Sequence, residues 1–120
     1  MTKLMLLMSL AALPATAATV VVPGAVNIIP LDIATVTTGG TAVNALSAGH
    51  ATAGGYIFNP SGAAQPLCIS QLGVASGTVS AGNTTCIAAG QSYVLTPSLG
   101  PVSVVSSDSA HPFSGQGMQQ

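Results

Sequence analysis

Past its first seventeen residues the chain never runs far without a glycine, a proline or a small polar cluster, and this punctuation is what most limits its fold. Fourteen glycines and eight prolines break the apolar stretches into pieces too short for an amphipathic helix. The best helical candidate, Ala42 to His50, contains Val43, Asn44 and Gly49 and has no continuous apolar stripe. Short apolar runs separated by turn residues at fairly regular intervals are instead the pattern of a small antiparallel β-sandwich or partly open barrel.

Seven strands are expected: 34–38, 41–46, 55–59, 66–72, 84–88, 92–96 and 102–106. The alternation within them is partial but repeated. Leu67, Ile69 and Gln71 should face one way and Cys68, Ser70 and Leu72 the other, while Val102 and Val104 oppose Ser103 and Val105. Both faces of some strands therefore carry apolar residues, so the sheet should be covered on each side. Pro60-Ser61-Gly62, Ala81-Gly82-Asn83, Ala89-Gly90-Gln91 and Leu99-Gly100-Pro101 supply the joints, because glycine permits positive φ and proline presets it near −65°. Gly39-Gly40 and Gly54-Gly55 recur before apolar stretches, but two occurrences make neither a solenoid nor a ranked β-helix.

The N-terminus reads as an export signal. Lys3 lies in a short n-region, Leu4 to Leu13 form the apolar h-region, and Ala15-Thr16-Ala17 is a small-x-small cleavage site. The apolar run is shorter than the roughly 20 residues a membrane-spanning helix needs, and Pro14 would interrupt it. Cleavage after Ala17, no membrane anchor in the mature form and a periplasmic or extracellular location are the expectations; the rival is an uncleaved helix used in assembly. Residues 18–34 hold Pro23 and Pro30 and should form an extended arm in which Val20-Val21-Val22 and Ile28-Ile29 can pair at a sheet edge. The folded domain is then expected over 35–113, with the polar, glycine-containing stretch Ser114 to Gln120 as a loose tail.

Charge narrows the function. Lys3 is the single Lys or Arg, there is no Glu, and Asp32 and Asp108 are the whole supply of acidic side chains. Nucleic-acid binding rests on Lys and Arg neutralising phosphates, so DNA, RNA and anionic membranes are poor partners. Paired-carboxylate glycoside chemistry would consume both aspartates. Disorder is disfavoured as well, because 48% of residues are apolar and the net charge is only −1. Soluble monomers ordinarily keep apart through interspersed charge, and its absence points to self-association or burial among protein partners.

Cys68 and Cys86 fall on neighbouring expected strands of an exported chain and should form one structural disulfide; the Cys-x-x-Cys spacing of a redox pair is missing. His50, His111 and Asp108 allow a metal site or a Ser-His-Asp arrangement to be sketched, but ligands are too few without the cysteines, and no Gly-x-Ser-x-Gly elbow accompanies them. The simpler reading is a turn in which Asp108 caps its own backbone and His111, preceding Pro112-Phe113, packs over the sheet. No catalytic residue, metal or cofactor is expected. Asn83-Thr84-Thr85 fits a glycosylation acceptor and equally an Asn in a turn, and Gly115-Gln116-Gly117 is too short, and too far from any Lys, to cradle phosphate. Tyr56, Phe58, Tyr93 and Phe113 are too few for a carbohydrate-stacking platform and read as core or interface anchors.

The stretch from Gly54 to Gln116 carries Gly55-Tyr56-Ile57-Phe58-Asn59-Pro60, Pro66-Leu67-Cys68-Ile69, Ala89-Gly90-Gln91-Ser92-Tyr93, Gly100-Pro101-Val102-Ser103-Val104 and Ala110-His111-Pro112-Phe113. In these motifs it resembles small proteins encoded in prophage regions and tailed phages of alphaproteobacteria. The resemblance covers about half the chain and implies a small β-sandwich of the decorating or accessory kind, attached to a virion head or tail. The signal-like N-terminus departs from that pattern and favours a periplasmic or surface accessory protein. A free periplasmic or secreted module for a neutral ligand such as a glycan is the second expectation.

Overall fold

The computed structural model describes residues 25–77 and 82–120. The expected signal segment 1–17 and the first part of the arm lie outside the described residues.

All ten described elements are strands, and no helix is found among the described residues. They are β1 (Asn27–Pro30), β2 (Thr35–Val36), β3 (Val43–Leu46), β4 (Gly54–Phe58), β5 (Leu67–Ser70), β6 (Thr85–Ile87), β7 (Ser92–Leu95), β8 (Val102–Val105), β9 (His111–Pro112) and β10 (Ser114–Gln119). Two four-stranded sheets have the orders β1-β10-β4-β7 and β3-β8-β5-β6, and β2 pairs with β9 as a small third sheet. Among the described residues every pairing is antiparallel and no sheet closes into a barrel, so the all-β expectation holds.

The core lies between the two larger sheets. Ile57 and Leu95 come from the first; Ala45, Leu46, Leu67, Ile69, Ile87, Val102 and Val104 come from the second; Val36 and Phe113 close the end. The period-2 reading of β5 and β8 is met here. Leu67, Ile69, Val102 and Val104 face this core, whereas Cys68 and Val105 join Ala75 in a second cluster. Both strands are buried along their full length because the segment after β5 folds over them, with the Ala75 amide donating to Ser103 Oγ at 3.0 Å.

Cys68 and Cys86 stand directly opposite one another on β5 and β6 and are bridged. The bond spans a sequence separation of 18 and ties the edge strand β6 into its sheet. A closure of that length stabilises by roughly 3 kcal/mol in the chain-entropy view.

The expected tail and the expected domain bounds are corrected, while the edge pairing expected of Ile28-Ile29 is met. Ser114 to Gln120 is not a loose tail: Ser114–Gln119 is β10, which runs between β1 and β4 and is paired on both sides. Glycine and glutamine are poor strand formers in isolation, but here two neighbouring backbones supply partners along the whole strand. The arm ends in an edge strand, since Ile28 and Ile29 pair with Met118 and Gly117. The folded unit therefore extends beyond 35–113 at both ends, from β1 through β10.

Candidate functional site

Three places bring together the residues that sequence reasoning singled out. The first is interior. His111, on β9 and only 1% exposed, has Nδ1 at 2.7 Å from Asp108 Oδ1 and Nε2 at 2.7 Å from Asn59 Oδ1. Asn59 is fully buried beyond the end of β4, and its Nδ2 donates to the carbonyls of Gln65 and Ile87, each at 3.2 Å. Those two bonds orient the amide so that its oxygen must face the imidazole. Both ring nitrogens thus meet a side-chain oxygen, one on each side of the ring. With both nitrogens engaged, the ring acts as a brace joining β9, the β8–β9 loop and the end of β4.

His50 is not part of this group. It lies beside Asp32, whose Oδ2 accepts from the amide and the hydroxyl of Ser47, both at 2.7 Å. His50 Nδ1 comes within 3.3 Å of the same oxygen, in ion-pair range but off the line a hydrogen bond requires. The sketch combining both histidines with Asp108 is therefore replaced by two separate clamps, one at each aspartate. Among the described residues, no group of three or more His, Cys, Asp or Glu is placed to hold a metal ion.

The two carboxyls make acid stability testable. Hydrogen bonds from the Ser47 side chain and backbone, aided by the charge of His50, hold Asp32 below its ordinary value. Desolvation pushes Asp108 upward, but hydrogen bonds from His111 and Ser106 and the charge of His111 outweigh it, and Asp108 too lies below its ordinary value. A depressed carboxyl stabilises fully above its unfolded value and loses that contribution as pH falls through its folded value. The urea midpoint should therefore decline as pH falls below about pH 4. Asp32→Asn should make that decline shallower, and a variant whose acid limb is unchanged would contradict the clamp.

The second place is a cleft of about 360 Å³ opening where the β7 edge of one sheet overlies the β6 side of the other. Gln71, Asn83, Thr84, Thr85, Tyr93 and Thr96 contribute to its walls, all of them uncharged, with Leu72 at its rim 81% exposed. Several polar groups there are already engaged. Asn83 Nδ2 donates to the Val74 carbonyl and Asn83 Oδ1 accepts from Thr84 Oγ1, which is the turn role expected for Asn83. Gln71 behaves like a fragment of strand: its Nε2 donates to the Thr96 carbonyl at 2.7 Å, and its Oε1 accepts from the Thr96 amide at 3.0 Å.

The third is the outer face of the first sheet. The register places Pro30, Gln116, Tyr56 and Val94 side by side across all four strands. The adjacent row holds Ile28, Met118 and Gly54. Ile28, Tyr56 and Val94 are 58%, 41% and 78% exposed, and among the described residues no charged side chain lies on this face. Of the four aromatics, Phe113 is buried and Tyr93 packs against the core, while Tyr56 points outward as a contact residue would.

Asn59 and Ser47 are the functional neighbours that sequence reasoning missed. Neither carries a local signal, because each acquires its partner from a distant part of the chain. Searches against protein-family models, curated proteins and solved structures return no match to this chain.

Proposed function

We propose that this protein is an exported, non-catalytic structural or accessory subunit whose uncharged surface is buried in a larger assembly. The observation that carries the reading is the outer face of the first sheet, where Tyr56 and Val94 stand exposed in register and Ile28 in the adjacent row, without a charge among them. Exposed apolar residues arranged contiguously mark contact surfaces, and charge depletion is what distinguishes the centre of an interface from its surroundings. The disulfide fits an oxidising location, and export through the N-terminal segment would bring the chain there. A virion-decorating or surface-accessory role, as the family resemblance implies, is one form such an assembly takes.

Light scattering on the oxidised protein tests this. Particles heavier than one chain are expected, and Ile28→Lys together with Tyr56→Lys should reduce their mass; a protein that stays monomeric at every concentration overturns the reading. The neutral cleft beside Tyr93 favours a second reading, a binding module for an uncharged ligand such as a glycan. That reading calls for a monomer whose ligand affinity does not change with salt.

A further inference from the structure

Edge strands invite pairing, and proteins blunt them with charge, proline or bulges. In the first sheet, the β1 edge carries Pro30. In the second, the β3 edge is irregular between Asn44 and Leu46, and β6 is short and tied by the disulfide. β7 has none of these devices: Ser92-Tyr93-Val94-Leu95 contains no proline and no charge, and its pairing with β4 is regular throughout. In an antiparallel ladder, backbone groups point alternately toward and away from the partner strand. The Thr96 amide and carbonyl face away from β4 and are taken by the Gln71 side chain. Two and four residues earlier, Val94 and Ser92 turn the same way, beyond the reach of that side chain. Beneath them lies the cleft walled by Tyr93, Thr84 and Thr85.

We infer that the β7 edge and its cleft accept a strand donated by a second copy of this chain, formed by residues 18–22 of that copy. This deepens the assembly reading above and rests on it. The donor Ala18-Thr19-Val20-Val21-Val22 has no charged side chain, is β-branched from Thr19 to Val22 and is closed by Pro23, which cannot continue a paired strand. Donor side chains without charge suit a receiving edge that has no charge to pair with them. Donation within one chain is ruled out by reach. The donor leads into β1, which is separated from β7 by β10 and β4. Reaching a place beyond β7 means crossing four inter-strand spacings, roughly 19 Å. The five residue steps from Val22 to Asn27 extend at most about 17 Å, too short for that crossing. The donor leads into the β1 edge and the acceptor is the β7 edge of the same sheet, so each copy gives from one side and receives at the other. A heterologous contact of that kind propagates head to tail. Alternate donor side chains must enter the cleft, so either Val20 and Val22 or Thr19 and Val21 face inward.

The test uses processed protein beginning at Ala18, a variant lacking residues 18–22, and a synthetic peptide of residues 18–24. The peptide should bind the shortened protein saturably and slow hydrogen exchange at the Ser92 and Val94 amides by at least tenfold. Lysine in the peptide at one of Val20 and Val21, and not at the other, should weaken binding at least tenfold. Peptide that fails to protect these amides, or lysine tolerated equally at both positions, overturns the inference. The shortened protein should also lose the head-to-tail species seen with the processed one. If its particles keep the same mass, strand donation is wrong while the assembly reading stands; if the processed protein is itself monomeric, the assembly reading fails, and peptide binding still decides the edge.

Discussion

A chain ending at Phe113 is expected not to fold. The missing residues form β10, and without them, among the described strands, β1 loses its only partner while β4 is left with β7 alone. The inner face of the sheet would open over Ile57 and Leu46, both fully buried in the intact protein. Urea unfolding of the truncated chain should show no cooperative transition where the full-length protein shows one. A point substitution probes the same strand without shortening the chain. A Cβ at Gly117 would lie 2.1 Å from the His50 carbonyl oxygen and 3.1 Å from Leu46 Cδ1, and a backbone oxygen cannot swing aside as a side chain can. Gly117→Ala should therefore cost about 3 kcal/mol or more, a large share of what a small domain has. A truncated protein that melts cooperatively near the midpoint of the intact one would show β10 to be dispensable.

His111→Ala should be the most costly change in the polar interior. Asp108 is about one-third exposed and can recover water when the imidazole is removed, so little of the loss lies at that end. At the other end the Asn59 oxygen is fully buried and its amide is pinned by two carbonyls, so it cannot turn to find another donor. An unsatisfied buried acceptor costs about 1–3 kcal/mol, and the cavity left by the ring adds to it, for a total of roughly 3 kcal/mol. Equilibrium urea denaturation gives this directly, and a loss below about 1 kcal/mol would mean that the ring does not brace the fold. Asp108→Asn should be milder, because the ring keeps its bond to Asn59.

The expected strands were legible where side chains carried their own pattern. Leu67-Cys68-Ile69-Ser70 and Val102-Ser103-Val104-Val105 alternate across two buried clusters, and the cysteines stand opposite one another on adjacent strands. β10 was not legible, because Ser114-Gly115-Gln116-Gly117 has no apolar alternation. Its glycines are there to admit neighbouring backbone: a Cβ at Gly115 would meet the Tyr56 carbonyl oxygen at 2.2 Å. The site divides along the same line. His111 and Asp108 are three residues apart and could be paired on paper, whereas Asn59 lies 52 residues from His111 and joins it only through the fold.

By itself, the order of residues settled the β class, the bridge between Cys68 and Cys86, and the scarcity of ionic groups, because backbone freedom, thiol chemistry and charge belong to individual residues. Tertiary structure alone decided that the C-terminal residues form an interior strand, that Asn59 meets His111 and Asp32 meets His50, and that β7 is left at a sheet edge beside a cleft. Those features depend on which backbones run side by side, and adjacency of that kind exists only once the sheets have packed.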